Sequence, residues 1–167
     1  MKPGARVGLG YDLHRLEPLA PAGDGRPMVL GGVRLEHPTG PVGHSDGDAL
    51  LHAVTDAILG ALGEPDIGQL FPDTDPRHEA ADSRVFLQEA VRRMRAAGLA
   101  LGNLDAAVIL ERPKLAPVKD AIRANLAELL GADVSAVNVK GKTGEKVGPV
   151  GEGRAVEVHV VALLTPA

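Results

Sequence analysis

Residues 43–75 read GHSDGDALLHAVTDAILGALGEPDIGQLFPDTD, and this span sets how the flanking segments are read. His44-Ser45-Asp46-Gly47-Asp48 is a polar turn. Ser45 or Asp46 can accept hydrogen bonds from the first free N–H groups of a helix, so one of them is expected to cap it. Leu51, Val54, Ile58 and Leu62 recur at helical spacing and form an apolar stripe. Asp48, His52 and Asp56 are four residues apart and share another face, expected to present carboxylates and an imidazole. Gly63 and Pro65 end the run. Beyond them, Asp66-Ile67-Gly68 and Phe71-Pro72-Asp73-Thr74-Asp75 mix hydrogen-bonding groups with breakers. Such a loop can fold over a small polar ligand; Asp73 and Asp75 can equally satisfy the N–H groups of turns.

Towards the N-terminus, Arg6 to Leu16 reads as a strand. Asp12 and His14 lie two residues apart on it and point to the same side, as two ligands from one rigid element would. Glu17 to Arg26 is a Pro/Gly-rich loop. Met28–Leu30 and Val33–Leu35 around Gly31-Gly32 predict a small hairpin or an interrupted strand. His37 and His78 read as surface loop histidines.

Towards the C-terminus, Asp82 or Ser83 is expected to cap a second helix, SRVFLQEAVRRMRAAG. Leu87, Ala90, Val91 and Met94 face inward on it, and Arg92, Arg93 and Arg95 match the dipole at its end. Leu99 to Glu111 holds the buried strand AAVIL. Pro113 or Pro117 starts a third helix, whose stripe is Val118, Ile122, Leu126 and Leu129. Lys114 sits at the strand-to-helix junction, a place that can hold a phosphate, although spacing alone favours an ordinary exposed lysine. Val137–Lys140 is a strand, followed by the turn Gly141-Lys142-Thr143-Gly144-Glu145-Lys146. That turn suits phosphate oxygens, and Glu145 suits a hard cation such as Mg²⁺, but the P-loop spacing is absent. Ala155–Leu164 is a last strand, with Val156, Val158 and Val160 facing one way and Glu157 and His159 the other. His159 reads as an interface or surface residue.

Strands with helices between them predict an α/β (α+β) two-layer sandwich: a mixed β-sheet with helices on one face. The chain has 167 residues, which fits a single domain over 1–167. Apolar residues make up 44%, but aromatics only 2%, so the core is built from Ala, Val, Leu and Ile. The uncovered sheet face would be buried by a homo-oligomer packing sheets together. A net charge of −4 excludes a broad basic surface for nucleic acid. No apolar run is long enough for a membrane span, and MKPGARVGLGYDLH has no apolar core of a signal peptide. With no cysteine, a metal site must use His and carboxylate. A cytoplasmic enzyme fits these facts, as does a small binding module. Asp12, His14 and His52 make a two-His-one-carboxylate set that would leave one position open on a tetrahedral Zn²⁺; nothing in their spacing brings the third to the first two.

GYDLHRL, the 43–75 span, ADSR and VNVKGKTGEKVG together resemble the 2-C-methyl-D-erythritol 2,4-cyclodiphosphate synthase family of the non-mevalonate isoprenoid pathway, nearly end to end. The resemblance implies conversion of 4-diphosphocytidyl-2-C-methyl-D-erythritol 2-phosphate to the cyclodiphosphate and CMP. It implies zinc on Asp12, His14 and His52, and Mg²⁺ or Mn²⁺ on Glu145 bridging the substrate diphosphate. It implies that His44 and Thr143 stabilise the transition state. Asp12, His14, Ser45, Asp66, Ile67 and Gly68 would contact the substrate, and Phe71, Asp73 and Asp75 belong to a closing loop. Lys114, within 110–116, and Lys142, Gly144 and Glu145 would form the cytidine-diphosphate pocket. It also implies a homotrimer with its sheets packed around the axis and active sites between subunits. The chain departs from the family at Lys142 and Gly144, where threonines are common, and at Pro149 and Glu152, where Phe and Arg are known.

Overall fold

A computed structural model describes residues 4–167; Met1 to Pro3, the first part of the stretch read for a signal peptide, lie outside the described residues. Five strands form one mixed sheet in the order β4-β1-β7-β5-β6. They are β1 (Arg6–Pro18), β4 (Thr39–Pro41), β5 (Leu99–Ile109), β6 (Val137–Lys142) and β7 (Ala155–Pro166). β1 pairs antiparallel with β4 and β7, β7 antiparallel with β5, and β5 parallel with β6. A parallel pair needs a crossover, and helix α4 (Lys119–Leu130) supplies it. The last strand of the chain therefore sits at the middle of the sheet. The expected hairpin is present as β2 (Val29–Leu30) and β3 (Val33–Arg34), with positive φ at Gly31 and Gly32 making the turn.

The sheet has two unlike faces. In register, Gly8, Gly10, Asp12 and His14 of β1 oppose Ala162, Val160, Val158 and Val156 of β7. This row points at the helices, and the four β7 residues are buried. Leu104, Ala106 and Val108 of β5 and Val137 and Val139 of β6 continue it. The other row leaves Val7, Leu9, Tyr11, Leu13 and Val161 exposed, between 47% and 68%. Period-two alternation thus separates a covered face from an uncovered apolar one.

Helix α1 (Ala49–Leu62) lies on β1 and β7, with α3 (Arg84–Ala96) on its other side. Its approach to β1 depends on glycine. A Cβ at Gly8 would strike the Ala57 carbonyl oxygen, and one at Gly10 the Ala53 carbonyl oxygen. The stripe Leu51, Val54 and Ile58 is buried as expected, but Ala49, Leu50, Ala53, Ala57, Leu59 and Ala61 are buried too. The helix is enclosed on most sides, and small residues form the face nearest the sheet.

Several expectations are corrected. The cap of α1 is Asp48, not Ser45 or Asp46: its Oδ1 accepts from Leu51 N at 2.9 Å. Asp48 is fully buried rather than displayed on a polar face, because Oδ1 and Oδ2 also accept from Gly31 N (2.9 Å) and Gly32 N (2.7 Å) of the β2–β3 turn. Ser83 stands at the N-cap of α3 but makes no side-chain capping bond. α4 starts at Lys119, after both prolines, with Val118 as its N-cap. β4 and the one-turn helices α2 (Ile67–Leu70) and α5 (Gly148–Gly151) are further elements, each too short to show a period in the sequence.

Candidate active site

Asp12 and His14 project from β1 towards α1, and His52 projects from the second turn of α1 towards them. The glycines at positions 8 and 10 set this distance, since any side chain there would lift the helix off the strand. Asp12 Oδ2 lies 3.1 Å from His14 Nε2 and 3.1 Å from His52 Nδ1, and the two imidazole nitrogens are 3.2 Å apart. Ligands about 2.0–2.1 Å from a tetrahedral zinc ion are about 3.3–3.4 Å from one another. The three donor atoms therefore form a nearly equilateral triangle of the size of one tetrahedral face. Among the described residues this is the one group of three or more His, Cys, Asp and Glu that could hold a metal ion. The donor set of one carboxylate and two imidazoles fits a divalent transition metal.

The electrostatics agree. Burial pushes the Asp12 carboxyl up, but hydrogen bonds from His14 and His52 outweigh it and hold it below the usual carboxylate range. Burial pushes His52 down, yet its bond to Asp12 leaves it raised overall. Asp12 is thus an anion ready to meet a cation. His52 Nε2 faces away from the triangle, 2.8 Å from Ser83 Oγ and 3.2 Å from Ser45 Oγ.

A cleft of about 280 Å³ opens beside the triangle. It gathers His14, His44, Ser45, His52, Ile67, Gly68, Phe71 and Asp73 of the expected site residues, and adds Gly43, His78 and Phe86. Both phenylalanines of the chain line it, with ring centroids 4.7 Å apart and Phe86 6.0 Å from the His52 ring. In a chain so poor in aromatics, their concentration here gives the metal-type cluster a rigid apolar wall. His78 is corrected from a surface loop histidine. Its side chain is 19% exposed, packs edge-on against Phe71 and Phe86, and lines the cleft. His44 Nε2 donates to the Asp75 carbonyl oxygen at 3.1 Å, tying the polar turn to the loop after α2.

Other expected residues stand apart from the cleft wall. Asp66 caps α2, accepting from Gln69 N at 2.9 Å and Gln69 Nε2 at 2.7 Å. Asp75 spends its carboxylate on Arg77, whose Nη2 lies 2.6 Å away, and on the Arg77 N–H. Lys114, Lys142 and Thr143 line a second cleft of about 220 Å³ with Leu110, Leu115 and Lys119. The two clefts share no lining residue. At the rim of the second, Gly144 N donates to Glu111 Oε2 at 3.2 Å, and Thr143 Oγ1 donates to Glu145 Oε1 at 3.2 Å. Glu145 and Lys146 both have positive φ, 52° and 59°, a conformation that costs side-chain-bearing residues on the order of 1–3 kcal/mol each. Glu145 is exposed and separate from the Asp12–His14–His52 triangle.

Fold and site together define a class: an α/β sandwich carrying a carboxylate–bis-imidazole cluster of metal-site geometry beside an aromatic-walled cleft. The sequence model of the YgbB family matches residues 5–165. A chloroplastic 2-C-methyl-D-erythritol 2,4-cyclodiphosphate synthase of Oryza sativa is 58% identical over 159 residues, 95% of this chain and 69% of its own. The synthase of that name from Chromobacterium violaceum is 54% identical over 162 residues, 97% of this chain and 99% of its own. A solved structure of IspF from Plasmodium falciparum, in complex with CDP, superposes with a TM-score of 0.84 at 38% identity, covering 98% of this chain and 97% of that one. The chain belongs to the YgbB family, and the Oryza sativa and Chromobacterium violaceum relatives are cyclodiphosphate synthases by name. No helix among the described residues is long and apolar enough to cross a membrane.

Proposed function

We propose that this chain converts 4-diphosphocytidyl-2-C-methyl-D-erythritol 2-phosphate to 2-C-methyl-D-erythritol 2,4-cyclodiphosphate and CMP, as a lyase of the non-mevalonate isoprenoid pathway in the cytoplasm. The observation that carries the reading is the donor triangle of Asp12, His14 and His52 beside the cleft, in a chain 54% identical over 97% of its length to a synthase of that name.

In the proposed reaction an oxygen of the substrate's 2-phosphate attacks the β-phosphorus. The P–O bond to the α-phosphate breaks and CMP leaves. The nucleophile comes from the substrate, so the protein's work is positioning and charge compensation. Holding the substrate in its reactive fold is worth on the order of 7 kcal/mol in favourable cases. Asp12, His14 and His52 would hold Zn²⁺, and Glu145 would hold Mg²⁺ or Mn²⁺; bound there, the ions supply positive charge that offsets the charge of the diphosphate. His44, fixed by the Asp75 carbonyl, and Thr143 stabilise the transition state. Ser45, Asp66, Ile67 and Gly68 orient the methylerythritol end, and Phe71, Asp73 and Asp75 close over it and exclude water. Lys114, Lys142 and Gly144 receive the cytidine diphosphate.

We further infer that the protein works as a homotrimer, each 167-residue chain a single catalytic domain. Two observations support this. The cytidine-side residues and the metal-side residues line separate clefts of one chain, so a neighbour's second cleft can complete the first. The uncovered apolar row of β1 and β7 is a face of the kind that association buries. The substrate and an analogue lacking the 2-phosphate test the reading. CMP release from the substrate alone is the expected result; equal release from both would mean that water is the nucleophile and would overturn the cyclisation.

A further inference from the structure

His52 Nε2 is placed by an arrangement that reaches across the fold. Ser83 is fully buried and sits where a serine would ordinarily cap α3, yet its hydroxyl makes no capping bond. The hydroxyl lies instead between His52 Nε2, at 2.8 Å, and Asp46 Oδ1, to which it donates. The Ser83 N–H donates to Asp46 Oδ2 at 3.1 Å, so the carboxylate grips both the backbone and the side chain of Ser83. Asp46 is fixed in turn: its Oδ1 accepts from Asp48 N at 3.1 Å, and its own N–H donates to the Ala81 carbonyl at 3.0 Å.

The direction of the chain follows from what each group can do. A carboxylate only accepts, so Ser83 Oγ spends its single proton on Asp46. Ser83 Oγ can then only accept from His52, which requires the proton on Nε2. Nδ1, the atom in the triangle with Asp12 and His14, is the nitrogen free to give up its hydrogen bond to Asp12 and coordinate. Ser45 Oγ also lies near Nε2, but at 3.2 Å, and it accepts from Gly47 N at 3.2 Å without a carboxylate to fix its proton.

We infer that Asp46 and Ser83 are positioning residues of the metal site: they hold His52 in the tautomer and ring orientation that present Nδ1 to the ion. The inference rests on the metal reading of Asp12, His14 and His52 proposed above. Partners on the far nitrogen of a ligating histidine typically contribute 10–100-fold in metal affinity.

The test is zinc affinity, measured by chelator competition on the full chain for wild type, Ser83→Ala, Asp46→Asn, the double variant and Ser45→Ala, with the thermal unfolding of each metal-free protein recorded alongside. The expected result is a loss of about 10–100-fold for each of Ser83→Ala and Asp46→Asn. Because the two act in series, the double variant should lose little more than the worse single one. Ser45→Ala should stay close to wild type. Wild-type affinity in Ser83→Ala overturns the inference and leaves the metal site standing. So does a double-variant loss equal to the product of the single losses, or a loss of metal-free stability with affinity unchanged. Wild-type protein that takes up no zinc overturns the metal site and the inference together.

Discussion

Among single residues, Asp12, His14 and His52, the proposed metal ligands, give the sharpest expectations. His52→Ala deletes one corner of the donor triangle while leaving the buried stripe of α1 untouched. A ligand to an ion that stabilises transition-state charge by several kcal/mol is expected to carry about three orders of magnitude in turnover. Steady-state kinetics should show that loss with the far-ultraviolet circular dichroism unchanged. The site also predicts a pH dependence of metal uptake. His52 is raised by its bond to Asp12, and a metal ion must displace the proton on Nδ1. Zinc affinity should therefore fall as pH drops through the raised His52 value and level off above it. A chelator titration from mildly acidic to mildly alkaline buffer checks the sign. Asp12 and His14 were legible together because a strand places residues two apart on one side. Their union with His52 was not legible from spacing, since it depends on the approach of α1 to β1. Ser83 carried a visible signal, a cap-type residue at a helix start, but its true partners are 31 and 37 residues away. His78 read as exposed because its shelter comes from Phe71 and Phe86, which no local pattern joins to it.

At the scale of elements, the site depends on how α1 is seated. Gly10→Ala places a methyl group against the Ala53 carbonyl, and overpacking of this kind typically costs about 1–3 kcal/mol. Urea denaturation should show that loss, and zinc affinity should fall with it because the Asp12–His52 separation grows. The N-terminus of α1 is held by Asp48, whose carboxylate accepts three backbone N–H bonds. Asp48→Ala leaves those donors buried without an acceptor and should cost about 2–4 kcal/mol. Burial pushes the Asp48 carboxyl up to about 6, against the opposing pull of the Leu51, Gly32 and Gly31 N–H groups. The folded chain then binds this proton more tightly than the unfolded chain does. Its contribution to stability is full below the usual carboxylate value and is lost as pH rises through about 6. Asp48→Asn should flatten that part of the stability profile, as pH-dependent urea midpoints would show. The main strands and the three long helices were legible because each runs through several periods of its pattern. On the polar face expected of α1, His52 presents its imidazole to the cleft as expected, but Asp48 does not, because the β2–β3 turn that covers it lies outside the helix's own sequence.

At the scale of the whole molecule, the mixed sheet with helices on one face was legible from the alternation of strand and helix signals and from the two-sided pattern of β7. The strand order was not, since β7, last in the chain, pairs between β1 and β5. The apolar row of Val7, Leu9, Tyr11, Leu13 and Val161 predicts association. Leu9→Glu should dissociate the proposed trimer, shifting the sedimentation from three times the chain mass towards one, and turnover should fall with it if cytidine-side residues come from a neighbour. A ³¹P NMR time course with the substrate, Zn²⁺ and Mg²⁺ follows the one phosphate oxygen on which the proposed cyclisation depends. Cyclisation yields a pair of coupled cyclic diphosphate resonances growing in step with CMP. Products of simple hydrolysis, or an unchanged spectrum from folded and metal-loaded protein, would contradict it.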